Sequence, residues 1–305
     1  MRPYNFKPLL VLYALFLYQV KPKAQIIDRQ EARLFASNVL FGGLTTGLGA
    51  AINKDSEQKF LPAFWKGFKY GCAGGVLLYT GKKCSNLIYQ EDKYVVPAAW
   101  GSRLIHNAGA SLMENVALHR PAFSHYNLYI GFMRLELDWQ DRFRFQPRIM
   151  PLSLGGLVFS LIDYKGTLDI KQSLRYGSPY IRTTTKQFGA IAVKGNITVL
   201  HRSYYDDAYY RSVTAHENVH ILQVHEDLIF NTHLKPTYTQ LKSRWGNLGN
   251  LSKYIYFDAS PIDINSFLFW YASTKTLNCY WTNPYEFEAE RMSTNRYLDL
   301  AELCK

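Results

Sequence analysis

The chain of 305 residues has few cysteines, and they are Cys72, Cys84, Cys279 and Cys304. No two of them are spaced as Cys-x-x-Cys, which argues against a zinc cluster built from thiolates. If the protein is exported, the pairs Cys72–Cys84 and Cys279–Cys304 could be disulfides. Four cysteines allow three connectivities, and the sequence does not choose among them.

A nucleic-acid-binding signature is also missing. The net charge is +11, but the basic residues are spread along the chain without a long Lys/Arg block. The glycines lack the following Lys-Ser/Thr of a phosphate-binding loop. We therefore expect a basic protein that does not bind nucleic acid. Its apolar content of 48% can fill the core of one large domain or of two small ones.

Residues 1–25 have the pattern of an export signal peptide. Arg2 and Lys7 form a basic start, and residues 8–18 form an apolar run that is short for a membrane span. Cleavage near Ala24 would give a secreted protein of the periplasm, the outer envelope or the extracellular space. An uncleaved membrane anchor is the alternative.

Residues 26–120 predict a Gly/Ala-rich helical region. Residues 34–53 carry no charge and are long enough to cross a membrane, and Gly43 and Gly47 lie four residues apart within them. Small residues at this spacing let helix backbones approach closely. A membrane-associated hairpin, a propeptide and a packed subdomain are all open, and lysines in the following stretch favour the packed subdomain.

Residues 121–202 predict an antiparallel sheet. Charged and apolar residues alternate through residues 134–139, which is the period of a half-buried strand. Lys194–Asn196 supplies one of the turns. The further predicted strands are Phe143–Ile149, Leu157–Ile162, Thr167–Leu174, Pro179–Thr184, Gly189–Val193 and Ile197–His201.

His216, Glu217 and His220 form a His-Glu-x-x-His motif in an apolar stretch. Residues four apart share one face of a helix, so the two imidazoles can bind one ion, with the Glu217 carboxylate beside it. This spacing is a signature of zinc peptidases, in which the glutamate is the general base. Gln223 shares the face and could bond a substrate amide or a ligand side chain. We expect His225 on the surface.

A third ligand is expected near the C-terminus. Asn283 followed by Pro284 predicts a helix start. Glu286 and Glu290 then share one face, while Glu288 points away and is a weaker candidate. Glu286 also occupies the position of a capping-box carboxylate, which is the alternative interpretation.

Residues 203–302 resemble the gluzincin metallopeptidases, in which a His-Glu-x-x-His helix is followed by a helix with Glu-x-x-x-Asp. The resemblance implies that Glu286 is the third zinc ligand and that Glu290, standing in place of the Asp, supports a ligand. It also implies that a sheet edge pairs with extended substrate, with Asn196–Leu200 as the strand nearest the cleft.

The expected fold class is therefore α+β. Residues 1–25 are the signal peptide, 26–120 a Gly-rich helical region, 121–202 an antiparallel sheet and 203–305 a helical, zincin-like core. Residues 121–305 together would form one catalytic domain.

The expected function is that of an exported, zinc-dependent metalloendopeptidase, a hydrolase acting on protein or peptide substrates. Zn²⁺ would be bound by His216, His220 and Glu286, and Glu217 would activate the zinc-bound water. Membrane association through residues 34–53 is a further possibility. The rival interpretation is a non-enzymatic, membrane-associated envelope scaffold with a structural metal or none.

Overall fold

The computed structural model describes residues 28–184, 190–200, 207–244, 250–259 and 283–294. The architecture is mixed α+β, as expected, with helices at both ends of the described chain and strands between them. The predicted signal peptide and two of the cysteines, Cys279 and Cys304, lie outside these residues.

Nine α-helices are described. They are α1 (Arg29–Ile52), α2 (Phe60–Cys84), α3 (Asn86–Gln90), α4 (Val95–Ala117), α5 (Pro151–Ile162), α6 (Ile170–Tyr176), α7 (Asp207–Asp227), α8 (Lys235–Arg244) and α9 (Pro284–Thr294). Short 3-10 helices span Asp92–Tyr94 and Leu228–Leu234. The expectation that residues 28–120 are helical is confirmed.

Helices α1 and α2 pack at very short range because glycines line their contact. A Cβ atom built on Gly71 would lie 2.2 Å from the carbonyl oxygen of Gly42, and one built on Gly42 would lie 2.3 Å from that of Gly71. Only glycine permits this approach of two backbones. Helix α1 is long and apolar enough to cross a membrane, and half of its most apolar window is buried.

The strands form two sheets instead of the single antiparallel sheet that the sequence predicted. They are β1 (His125–Ile130), β2 (Met133–Asp138), β3 (Arg144–Ile149), β4 (Thr167–Leu168), β5 (Tyr180–Thr183), β6 (Ala190–Val193) and β7 (Asn196–Leu200). The first sheet is antiparallel in the order β1-β2-β3, and the second has the order β4-β5-β7-β6. The second is mixed, since β5 and β7 run parallel.

One predicted strand is wrong, and a second is correct only in part. Leu157–Ile162 lies in helix α5, whose start is capped by Asp258: its carboxylate accepts from the backbone N–H of Leu152 at 2.9 Å and of Ser153 at 2.7 Å. A short apolar run does not distinguish a strand from a buried helix by its period. The cap that decides it comes from a remote part of the chain.

The prediction of a strand through Thr167–Leu174 is correct for its first two residues only. Asp169 then caps helix α6 by accepting from the backbone N–H of Gln172 at 2.9 Å, and Gly177 ends the helix in the left-handed conformation (φ 65°). Both are ordinary start and stop signals of a helix that the alternating pattern concealed.

The suggested Cys72–Cys84 disulfide is also wrong. Both cysteines are free, and both lie on the continuous helix α2. Twelve residues of helix separate their Cα atoms by about 18 Å, whereas a disulfide needs less than about 7 Å.

Helix α7 lies at the centre of the molecule and holds the other elements in place. On one side Val219 packs with Ala289 and Met292 of α9. On another side the Asn218 amide donates to the hydroxyls of Ser85 at 2.8 Å and Ser102 at 3.1 Å. The central helix is therefore fixed by both apolar and polar contacts to elements on either side of it in the sequence.

Candidate metal centre

Two helices bring the predicted ligands together. On α7, His216 and His220 lie one turn apart on one face, as the spacing requires. Helix α9 begins as predicted, with the Asn283 side chain accepting from the backbone N–H of Tyr285 at 3.0 Å and Pro284 in the first turn. This start fixes the rotation of α9 and directs Glu286 at the two imidazoles.

The three ligand atoms form a nearly equilateral triangle. One carboxylate oxygen of Glu286, Oε2, lies 3.1 Å from Nε2 of His216 and 3.1 Å from Nε2 of His220. The two Nε2 atoms lie 3.0 Å apart. All three side chains are largely buried, with 12 to 17% of each exposed.

These residues fit a divalent metal ion. Ligand atoms about 2.1 Å from a tetrahedral ion lie roughly 3.4 Å from one another, close to the observed spacing. Two imidazoles and one carboxylate are a donor set that zinc and similar ions accept. The cluster also concentrates negative charge, because Glu217, Glu286 and Glu290 lie around two imidazoles that are neutral when they bind metal.

The outer nitrogen of each imidazole also has a partner. Nδ1 of His216 lies 3.4 Å from a carboxylate oxygen of Glu290, and Nδ1 of His220 lies 2.8 Å from Oε1 of Gln223. Such partners hold the ring and place its proton on Nδ1, which leaves Nε2 free to bind a metal. Glu290 and Gln223, which the sequence analysis named beside the predicted ligands, thus each contact one imidazole.

Glu217 lies between the imidazole pair and the second sheet. Its side chain is buried, and its carboxylate accepts a hydrogen bond from the backbone N–H of Ala192 in β6. Burial raises the pKa of the Glu217 carboxyl, while the imidazoles of His220 and His216 lower it. A buried carboxylate next to two imidazoles is suited to moving a proton.

The strand next to the site is β6, not Asn196–Leu200 as the sequence predicted. Among the described residues β6 is the edge of its sheet, and β7 is inside it. Val193 and Asn196 close a turn whose central residues, Lys194 and Gly195, have φ values of 43° and 87°. In this hairpin Ala192 belongs to a non-hydrogen-bonded pair, so its N–H points away from β7 toward the site.

Electrostatics in the cluster favour positive charge at the imidazoles. Burial opposes a charge on His216, but hydrogen bonds to Glu286 and Glu290 outweigh it and raise its pKa to about 10. The pKa of His220 is also raised, against burial, chiefly by its hydrogen bond to Glu286. The surrounding carboxylates therefore favour positive charge at this position.

His225 is buried, which contradicts the expectation of a surface position. Only 1% of it is exposed, and its ring stacks on Tyr129 with centroids 4.8 Å apart. Helix α7 is covered on nearly all sides, so a position away from the imidazole pair still faces the interior. The helical period correctly predicted that His225 points away from the imidazole pair. It did not predict that β1 packs against the helix on that side.

Sequence reasoning missed the role of Glu288 and Lys82. Glu288 does not face the metal site; its carboxylate accepts from Lys82 at 2.9 Å and from Gln223 at 2.8 Å. Nothing in the sequence separates the buried Lys82 from the neighbouring, part-exposed Lys83. The contact between Glu288 and Gln223 joins two different helices, and no local pattern indicates it.

Three tyrosines that lie near the ligands in the sequence, Tyr205, Tyr209 and Tyr285, are candidates for stabilising an oxyanion. Tyr205 lies outside the described residues. The ring of Tyr209 contacts that of Tyr210 edge to face, with centroids 6.3 Å apart. Tyr285 contributes its backbone carbonyl, which accepts from Gln223 at 3.1 Å.

Comparisons with protein-family models, with curated proteins and with solved structures found no match for this chain. Inferences about its function therefore come from the sequence motif and from the geometry of the site.

Proposed function

We propose that the protein is an exported, zinc-dependent metallopeptidase of the gluzincin type. The observation that carries the proposal is the position of Glu286: its Oε2 lies 3.1 Å from both imidazole nitrogens of a helix that lies more than 60 residues earlier in the chain. A surface histidine pair would not need this buried carboxylate. His216, His220 and Glu286 would hold the ion and leave a fourth position open.

A bound zinc ion would polarise the scissile carbonyl and make a water molecule acidic near neutral pH. Glu217 is the general base of this mechanism. Its carboxylate takes a proton from the attacking water and delivers it to the leaving amine. The hydrogen bond from Ala192 holds the carboxylate in one orientation, and its burial keeps bulk water from competing for the proton.

The substrate we propose is an extended peptide, which would pair with the edge of β6. Support comes from the hairpin geometry, in which the N–H and C=O of Ala190 and the C=O of Ala192 point away from β7. The N–H of Ala192 points the same way but donates to Glu217. Peptide addition to a sheet edge provides binding through the backbone and tolerates varied side chains.

We also propose that the protein associates with a membrane through α1. The outer face of this helix exposes Leu40, Leu44 and Leu48 at 52, 49 and 43%, and residues 34–53 carry no charge. Extraction of native membranes with alkaline carbonate tests this: we expect partial retention in the membrane fraction. Complete release of the protein would contradict it.

The decisive experiment compares wild type with Glu217→Gln. Substitution removes the base but keeps the size of the side chain, so we expect peptide hydrolysis to fall by about 10²- to 10⁴-fold with zinc content unchanged by elemental analysis. Glu57→Gln, at an exposed position between α1 and α2, is the control and should retain full activity.

His220→Ala should lose both zinc and activity. The proposal fails if purified wild type contains no stoichiometric metal and binds none on addition of zinc, or if Glu217→Gln cleaves peptides at the wild-type rate. An absence of metal would leave the envelope scaffold as the better interpretation.

A further inference from the structure

Lys82 lies deep in the molecule, beneath the metal centre. It is 1% exposed, and its ammonium nitrogen lies 2.8 Å from Glu226 Oε2 and 2.9 Å from Glu288 Oε2. A buried ammonium is costly unless carboxylates compensate it. Lys82 belongs to helix α2, so this cation comes from the hairpin formed by the closely packed helices α1 and α2. It does not come from α7 or α9, which hold the predicted metal ligands.

Glu288 has several donors around its carboxylate. Oε1 accepts from the Asn38 amide at 2.7 Å, and Oε2 accepts from Lys82 and from Gln223 Nε2 at 2.8 Å. An ionised carboxylate only accepts hydrogen bonds, and a lysine ammonium only donates them. The charge of Lys82 therefore keeps Glu288 as an acceptor toward Gln223.

The orientation of the Gln223 amide follows from these contacts. Its nitrogen donates to Glu288 and to the Tyr285 carbonyl at 3.1 Å, so its oxygen faces His220 Nδ1 at 2.8 Å. An amide oxygen accepts, so Nδ1 must carry the proton and Nε2 must present its lone pair to the site.

We propose that Lys82 and Glu288 act through Gln223 as positioning residues that set the ring orientation and tautomer of His220. This inference rests on the proposed function, because it assumes that His220 binds a metal. Lys82 and Asn38 both belong to the hairpin formed by α1 and α2. By this inference the hairpin supports the metal centre and is not a propeptide that is removed on activation.

The first test measures the zinc dissociation constant of the full chain by competition with a chromophoric chelator. Lys82→Met keeps an unbranched side chain, one atom shorter, but removes the charge. We expect about 10- to 100-fold weaker zinc binding, the usual effect of losing an outer partner of a metal ligand. Lys83→Met is the matched control, because Lys83 is its neighbour and pairs with Glu31 at 2.6 Å, away from Gln223. Its zinc affinity should stay within about twofold of wild type.

The second test distinguishes positioning from packing and does not depend on the folding of Lys82→Met. Gln223→Ala and Glu288→Gln should each weaken zinc binding by about tenfold or more. If Glu288 acts on His220 only through Gln223, then Glu288→Gln has nothing further to disturb once Gln223 is alanine. We therefore expect the double variant to bind zinc within about threefold of Gln223→Ala alone.

The outcomes separate the two proposals. Wild type that binds no zinc overturns both of them. Wild type that binds zinc and cleaves peptides, together with a folded Lys82→Met of unchanged zinc affinity, overturns only the positioning role. Additive losses in the Gln223→Ala/Glu288→Gln double variant would likewise overturn it.

Discussion

Gly71 allows a strong prediction, because its hydrogen atom occupies a place where a methyl group does not fit. A Cβ on Gly71 would lie 2.2 Å from the Gly42 carbonyl oxygen and 2.7 Å from the Thr46 Cβ, both parts of α1. The nearest of these neighbours is backbone and cannot rotate away. Gly71→Ala must therefore push α1 and α2 apart by about 1 Å to reach ordinary contact distances, which forfeits roughly a quarter to a half of the dispersion energy at the contact.

The magnitude follows from two opposing effects. Overpacking costs about 3 kcal/mol at the upper end of its usual range, and the better helix propensity of alanine returns about 1 kcal/mol. We expect a net loss of about 2 kcal/mol, which lowers the melting temperature by roughly 3 °C in a protein of this size.

Gly155→Ala is the matched control. Gly155 is also inside a helix, α5, but a Cβ built there meets no atom within 4 Å. With no clash, only the propensity gain of about 0.5 to 1 kcal/mol remains, and the melting temperature should rise. Differential scanning calorimetry of the three proteins provides the comparison. An equal or raised melting temperature for Gly71→Ala would refute the close-packing argument.

Three further predictions concern stability. Burial, together with Arg103, holds the pKa of His225 well below its ordinary value near 6.5, so below that pH the unfolded chain binds a proton that the folded chain does not, and stability should fall. His225→Phe keeps the stacking on Tyr129 and should reduce the dependence of the urea midpoint on pH between about pH 5 and 7.5. The same pH dependence in wild type and variant would contradict this. The Asn53 side chain, at the end of α1, donates to the carbonyls of Gly49, Ala117 and Thr232 at 2.9, 3.1 and 2.9 Å. Asn53→Ala should therefore lower the free energy of unfolding in urea by about 1–3 kcal/mol. A loss below about 0.5 kcal/mol would count against this role of the amide. Asp258→Ala removes the remote cap of α5 and should lower stability by about 1–2 kcal/mol. The first turn of α5 should also exchange its amide hydrogens faster than in wild type. An unchanged exchange rate there would argue against the capping role.

Helix starts, turns and spacings were predictable because each depends on a few neighbouring residues. The Asn283–Pro284 start of α9 and the turn at Lys194–Gly195 follow from backbone preferences at single positions. The helical period also placed Glu288 on a different side of α9 from Glu286, while the choice of Glu286 as the ligand came from the resemblance. Whether α9 meets α7 at all was an inference from resemblance, and the contact of Val219 with Ala289 and Met292 is what brings them together.

Other features depended on partners that no local pattern encodes. The strand at the site is β6 because the parallel pairing of β5 with β7 moves β7 into the sheet interior, which strand periodicity does not reveal. Helix α5 was mistaken for a strand because its cap, Asp258, lies about a hundred residues away. His225 was placed on the surface because its covering strand could not be foreseen.

By itself the sequence determined the i, i+4 histidine pair with its adjacent glutamate, the start of the helix that carries Glu286, and the glycines that permit close packing. These are consequences of the fixed period of a helix and of single-residue backbone preferences. Only the tertiary structure decided that Lys82, from a helix more than 130 residues before His216, is buried against Glu288 and Glu226 next to the candidate metal site. Burial of a charge depends on carboxylates that distant helices bring to it, and that convergence is a property of the packed molecule.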